Sequence, residues 1–212
     1  MPLTRKPEED ILPGLFLPVM EQFYTIQGEG VNSGMAAYFI RLAGCDVGCV
    51  WCDVKESWDV TMHPEFSIKE IVQKALQHPS KMVVVTGGEP LMYNLDPLCD
   101  VLKHEGFYTC IETSGAYVLS GNWDWICVSP KKFKAPVHDV LCKADELKVV
   151  VYNKSDFTWA QENALFVNAQ CKLLLQPEYS RFDEVMPMII EFVKQNPKWQ
   201  ISLQTHKIIN VP

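Results

Sequence analysis

Gly44-Cys45-Asp46-Val47-Gly48-Cys49-Val50-Trp51-Cys52-Asp53 is the stretch from which the rest of the chain is read. Its three cysteines stand in the spacing C-x3-C-x2-C, directly after the apolar run Ala37-Tyr38-Phe39-Ile40-Arg41-Leu42. Thiolates are the ligands of iron–sulfur clusters, and short spacings let one loop wrap one cluster. A four-iron cluster ordinarily takes four protein ligands, and no fourth cysteine lies near this loop. Three thiolates would leave one iron open to a cofactor or substrate. A structural zinc site is the other reading of clustered cysteines, but it closes with a fourth Cys or His. His63 is the nearest candidate, and its spacing fits no common zinc module.

A chain of 212 residues suits one sizeable domain. Its 48% hydrophobic content supports a packed α/β core rather than a disordered chain. The formal charge of −7 argues against a protein that grips nucleic-acid phosphates over a broad surface, while leaving room for a local basic patch. No apolar run approaches a membrane span. The polar, acid-bearing start Met1-Pro2-Leu3-Thr4-Arg5-Lys6-Pro7-Glu8-Glu9-Asp10 is a poor export or transit signal. The expectation is a reducing, cytoplasmic setting in which thiols stay free to bind iron. Cys99, Cys110, Cys127, Cys142 and Cys171 lie mostly inside apolar runs and read as small buried hydrophobes rather than a second metal site.

Residues 1–18, with Pro2, Pro7, Pro13 and Pro18, read as an N-terminal extension, and 19–212 as the core domain. Val19 to Thr25 reads as a first strand ending at Gln27-Gly28-Glu29-Gly30, whose glycines suit either close approach to a ligand or a plain turn. Arg41 interrupts an apolar strand; an internal salt bridge and a carboxylate clamp both fit its forked side chain. Ser67-Ile68-Lys69-Glu70 is a capping box opening a helix to about Gln77. The β-branched run Met82 to Thr86 leads at once into Gly87-Gly88-Glu89-Pro90. Leu95 to His104 has helical spacing and stops at Gly106. Further strands are expected at 107–111, 125–128, 147–151, 173–176 and 199–203, and helices at 155–163 and 182–195.

Alternating strands and helices imply parallel pairing, since each return crossing needs about a dozen residues or more. The crossing 113–124 is too short for a full helix, and 129–146 is not clearly helical. A complete eight-unit barrel takes around 250 residues. The expectation is therefore an α/β fold: a partial, incomplete parallel αβ barrel with a trimmed helical layer. Each motif follows the C-terminal end of an expected strand, the face on which such barrels place their chemistry.

The spacing of the cysteines resembles that of radical S-adenosylmethionine (SAM) enzymes. With Gln27-Gly28-Glu29-Gly30, Phe39-Ile40-Arg41-Leu42, Thr86-Gly87-Gly88-Glu89-Pro90, Glu112-Thr113-Ser114-Gly115, Ser129-Pro130-Lys131 and Gln204-Thr205-His206-Lys207 in this order, the chain from Phe23 to Pro212 resembles, more narrowly, the 7-carboxy-7-deazaguanine synthase family of queuosine and 7-deazapurine biosynthesis. The resemblance implies a 4Fe–4S cluster on Cys45, Cys49 and Cys52, with SAM chelating the open iron. It implies SAM contacts by Trp51, Cys52, Asp53, Gly87, Gly88, Glu89, Ser114, Ser129, Pro130, Lys131 and Gln176. The implied substrate is 6-carboxy-5,6,7,8-tetrahydropterin, its carboxylate held by Arg41 and its ring by Ile26, Gln27, Gly28, Glu29, Thr86, Glu112, His206 and the terminal carboxylate of Pro212. Hydrogen abstraction at C6, ring contraction and loss of ammonia follow, with SAM regenerated. A homodimer and an electron donor such as a flavodoxin are further implications, with no nucleic-acid or membrane partner.

One position departs from the family. Many members carry Thr or Ser two residues after the third cysteine to ligate Mg2+, and here Val54 stands there, with no oxygen for a hard cation. Two rival readings share the cysteine loop. A radical SAM activase that places a glycyl radical on a partner protein has no need of the polar set around Arg41, Gln27-Gly28-Glu29 and Gln204-Thr205-His206. An iron–sulfur electron carrier or zinc module has no need of Gly-Gly-Glu.

Overall fold

The computed structural model describes residues 15–212. The first strand, β1 (Phe16–Ile26), opens earlier than its apolar pattern suggests. Residues 16–18 of the expected extension thus belong to the sheet, and residues 1–14 lie outside the described residues. In chain order there follow β2 (Ala36–Leu42), β3 (Glu65–Ser67), α1 (Ile68–Ala75), β4 (Met82–Gly87), α2 (Asp96–His104), β5 (Tyr108–Thr113), β6 (Trp125–Val128), α3 (His138–Cys142), β7 (Glu146–Val151), α4 (Ser155–Ala164), β8 (Lys172–Pro177), α5 (Phe182–Gln195), β9 (Trp199–Ile201) and α6 (Thr205–Ile209). Ser67 caps α1: its hydroxyl accepts the Glu70 N–H at 3.3 Å, while the Glu70 carboxylate accepts the Ser67 N–H at 2.8 Å. Such a cap contributes about 1 kcal/mol.

Among the described residues nine strands form one sheet, ordered β3-β1-β2-β4-β5-β6-β7-β8-β9. From β2 to β9 every neighbouring pair is parallel. The sheet does not close, because β3 and β9 are its two edges. The helical layer is trimmed: no helix joins β5 to β6, and only the five-residue α3 joins β6 to β7. That short helix falls inside the stretch 129–146, which carries no clear helical pattern.

The expectation of parallel pairing fails at the start of the chain. β1 runs antiparallel to both β2 and β3. Residues 27–35 are too few for a crossover, and Gly30 (φ +69) and Gly34 (φ +91) supply the left-handed positions of a tight return.

Successive strand residues face opposite sides of a sheet, and here the two faces differ in chemistry. Outward-facing Tyr38, Ile40, Leu42, Val83, Val85, Ile111, Val128, Leu147, Val149 and Leu175 pack with the helices in the main core. Inward, a small apolar floor of Ala37, Phe39, Met82, Val84 and Cys110 lies at the N-terminal end of the strands. Above it the inner face turns polar, with Arg41 beside Thr86 and Glu112 beside Cys127 in register.

The final segment spans the open side. The Thr205 N–H and hydroxyl donate to the Gly28 carbonyl at 2.8 and 2.9 Å. The Thr25 hydroxyl reaches the Pro212 carbonyl at 3.2 Å. Cys99, Cys110 and Cys127 are buried as expected, whereas Cys171 is half-buried and Cys142 exposed. Cys142 ends α3, whose buried side is Val140 and Leu141, so its thiol faces His138 one turn back.

Candidate active site

A cleft of about 770 Å³ opens at the C-terminal ends of the parallel strands. It is lined by Cys45, Cys49 and Cys52 and by all the other expected site residues except Glu89 and Pro130, which lie behind its wall. The cysteine loop is tied down at several points. The Gly44 N–H donates to the Ser57 carbonyl at 2.6 Å, and the Cys52 N–H to the Cys49 carbonyl at 3.1 Å. The Tyr117 hydroxyl and the Lys134 ammonium both donate to the Asp46 carboxylate, at 2.5 and 2.8 Å. Burial pushes the Cys49 thiol up to about 11 and also raises Cys45, so loading metal here means displacing protons.

The donor set, three cysteines of one short loop at the cleft, fits an iron–sulfur cluster. All three thiol-bearing residues line the cleft. His63, the candidate fourth zinc ligand, has its Nε2 at 2.8 Å from the Glu56 carbonyl. The Gly-Gly turn packs directly on the loop and the strand before it: a Cβ on Gly88 would lie 2.3 Å from the Gly44 carbonyl oxygen and 2.7 Å from the Cys45 Cβ, and Gly87 sits at φ +151.

Glu89 is 1% exposed and turns away from the cleft. It accepts the Leu91 N–H at 3.0 Å, the Thr113 hydroxyl at 2.5 Å, the Ser114 N–H at 2.8 Å and also the Ser114 hydroxyl. Its carboxylate thereby fixes the turn after β4 to the turn after β5.

The inner face carries a chain of polar contacts. Gln27 Nε2 donates to Glu112 Oε1 at 2.8 Å. Lys148 Nζ donates to Glu112 Oε2 at 3.0 Å and to Glu29 Oε2 at 2.6 Å. Gln204 Nε2 completes the chain at Glu29 Oε1, 2.7 Å. Burial alone would raise the Glu29 pKa, but Lys148, with Gln204 and Gln176, brings it down to about 2. Burial opposes the charge of Lys148 as well, and Glu112 and Glu29 overcome it, holding its pKa well above the ordinary value. Burial raises Glu146, against the attraction of Lys148.

Arg41 lines the same cleft, with its Nε at 2.6 Å from Glu21 and its guanidinium 5.9 Å from the Phe23 ring centre. Both sequence readings of Arg41 therefore meet in one place: it has an ion-pair partner, and it also faces the cleft. Burial lowers the His206 pKa, against the pull of Glu29. His206 packs so closely on Gly28 that any Cβ there would overlap its Nδ1. Lys131 Nζ donates to Ser129 Oγ at 2.5 Å and lies 5.3 Å from the Trp51 ring centre; burial lowers its pKa, offset in part by Cys49. Gln176 Oε1 accepts the Ser202 hydroxyl at 2.8 Å. Pro130 contributes only its carbonyl to the Trp159 indole N–H, 3.3 Å away. Val54 lines the cleft, and its carbonyl accepts the Ser57 hydroxyl at 2.7 Å.

Sequence reasoning missed Lys148, although it carries the signal that singled out Arg41: one cation in an apolar strand, Glu146-Leu147-Lys148-Val149-Val150-Val151. Tyr152, Tyr179 and Lys207 also reach the cleft. Lys207 Nζ lies 3.2 Å from Asp53, linking α6 to the cysteine loop.

A partial parallel barrel with three cysteines and a Gly-Gly-Glu turn at its mouth defines a radical SAM protein. The family model of the Radical SAM superfamily matches residues 39–144, and that class implies a 4Fe–4S cluster and SAM. The 7-carboxy-7-deazaguanine synthase of Flavobacterium psychrophilum is 52% identical, over 99% of this chain and 100% of its own. That of Synechocystis is 44% identical, over 92% and 93%. The crystal structure of QueE from Escherichia coli superposes with a TM-score of 0.79 at 31% identity, covering 89% of this chain and 93% of that one. The chain belongs to the 7-carboxy-7-deazaguanine synthase family. These relatives do not favour the activase or electron-carrier readings. No helix among the described residues is long and apolar enough to cross a membrane.

Proposed function

We propose that this protein converts 6-carboxy-5,6,7,8-tetrahydropterin to 7-carboxy-7-deazaguanine, with ring contraction and loss of ammonia, as a step of queuosine biosynthesis. One observation carries the reading. The three-cysteine loop and the polar chain Gln27–Glu112–Lys148–Glu29–Gln204 line one cleft. A pterin edge presents amine and amide donors beside carbonyl and ring-nitrogen acceptors, which carboxylates and side-chain amides match.

Cys45, Cys49 and Cys52 would hold the cluster, which supplies the electron that cleaves SAM and so the 5′-deoxyadenosyl radical for abstraction at C6. Gly87 and Gly88, packed closely on the cysteine loop, carry the turn that receives the methionyl end of SAM, and Glu89 acts from behind by holding Ser114. Trp51, Asp53, Ser129, Lys131 and Gln176 take the remaining SAM contacts, with Pro130 shaping the turn between Ser129 and Lys131. Arg41 receives the substrate carboxylate on a wall that also carries the Phe23 and Phe39 rings, stacked at 5.2 Å. Ile26, Gln27, Gly28, Glu29, Thr86, Glu112, His206 and Pro212 surround the ring. With its pKa lowered, His206 is neutral near pH 7 and offers one donor and one acceptor.

Val54 gives Mg2+ no side-chain ligand, so any such ion rests on substrate oxygens and water. We further place the enzyme in the cytoplasm, as a homodimer supplied with electrons by a small donor such as a flavodoxin. Anaerobic turnover of the reconstituted protein with the carboxy-tetrahydropterin, SAM and a reductant tests the reading by mass spectrometry. The expected product is lighter than the substrate by one ammonia; 5′-deoxyadenosine without that product overturns it.

A further inference from the structure

Lys148 is a charged side chain of the lumen to which the SAM and substrate contacts above assign no role. It is 3% exposed and rises from β7 between two carboxylates carried by different elements, Glu29 after β1 and Glu112 on β5. Glu146 on its own strand and Cys127 on β6 also face it, with His206 of α6 and Lys131 beyond β6 further off. Burial keeps the Cys127 thiol protonated, and its Sγ lies 3.4 Å from Glu146 Oε1. Glu29 and Glu112 meet at one nitrogen, so without it they face each other across a poorly solvated lumen. Two carboxylates so placed cannot both stay ionised, and one takes up a proton. A protonated carboxyl then presents a donor where a pterin amine or amide N–H needs an acceptor.

Building on the pterin reading, we infer that Lys148 is a positioning residue that holds Glu29 and Glu112 as a spaced pair of acceptors for the donor edge of the substrate ring. It touches the two carboxylates and acts on the substrate through them.

The test compares wild type, Lys148→Met and the charge-retaining Lys148→Arg. Infrared difference spectra of the protein without substrate at neutral pH come first. Lys148→Met should gain a protonated-carboxyl C=O band that Lys148→Arg and wild type lack. In turnover, Lys148→Met should raise KM by roughly tenfold or more, with a smaller fall in kcat. That penalty should shrink as pH rises and the carboxyl ionises, and Lys148→Arg should recover much of it. No new band, together with a KM penalty that is constant with pH, overturns the inference. If Lys148→Met does not fold, the wild type still decides: a protonated-carboxyl band lost in Glu29→Gln or Glu112→Gln contradicts the proposed role. A wild type that leaves the pterin unchanged defeats the substrate reading, while the infrared result still decides the carboxylate pair.

Discussion

The Glu89 carboxylate accepts the backbone N–H of Ser114 at 2.8 Å and joins two turns that both border the cleft. Glu89 is one of the largest fully buried side chains among the described residues, and its other partners are Leu91 and Thr113. Glu89→Gln places an amide NH2 against groups that are themselves donors. Loss of charge-assisted hydrogen bonds to a buried group costs roughly 1.5–3 kcal/mol. Urea unfolding should show a destabilisation of that size together with weaker SAM binding. Unchanged stability would mean the two turns are held by other contacts.

Arg41 and Glu21 form an ion pair at the cleft wall, with side chains 20% and 44% exposed. Such a pair contributes little to stability, so its exchange for a substrate carboxylate is cheap. Arg41→Met should weaken substrate binding by about 2–5 kcal/mol if the substrate's charge is left desolvated and unpaired. Glu21→Gln, which frees the guanidinium, should bind substrate at least as tightly as wild type. Weaker binding in Glu21→Gln, or equal binding in Arg41→Met, would remove Arg41 from the substrate site.

Glu29, with its pKa lowered to about 2, sets an acid limit on the fold. A carboxylate with a depressed native pKa stabilises the fold above its unfolded value of about 4.3. That contribution is lost as pH falls towards 2. Thermal unfolding followed through this window should show a smaller pH dependence in Glu29→Gln than in wild type. Parallel profiles would show that Glu29 is not ion-paired in the native state.

Much of this arrangement was legible in the sequence. The cysteine spacing, the strand ends and the turn motifs gave the barrel and the mouth of the cleft, because each motif follows a β-branched or apolar run directly. The antiparallel β1 was not read, although the short 27–35 link excludes a parallel crossover. The latch role of Glu89 was invisible because its partners Thr113 and Ser114 lie on another strand end, and sequence spacing carries no record of that meeting. Lys148 went unread although it is the one cation of a largely apolar strand, and its two partners, from β5 and the turn after β1, leave no mark in the sequence.

Val54 offers no side-chain oxygen at the position where the family resemblance implies a Mg2+-ligating hydroxyl. Mg2+ favours six oxygen ligands and parts with water reluctantly, so an ion here would be held mainly by the substrate. Turnover should respond weakly or not at all to added Mg2+ or to chelator, and Val54→Thr should introduce a response. A strict Mg2+ requirement in the wild type would show that other oxygens hold the ion.

The coupling of SAM cleavage to ring contraction of a carboxylated tetrahydropterin in one cleft is the step on which the proposed function rests. Its most direct measurement is the balance of ammonia, 7-carboxy-7-deazaguanine and 5′-deoxyadenosine in a single anaerobic reaction. Ammonia and product should form in equal amounts, both exceeding the SAM consumed, and none of the three products should form in Cys45→Ala, Cys49→Ala or Cys52→Ala. Accumulation of 5′-deoxyadenosine without ammonia, or product formation by a cysteine variant, would contradict it.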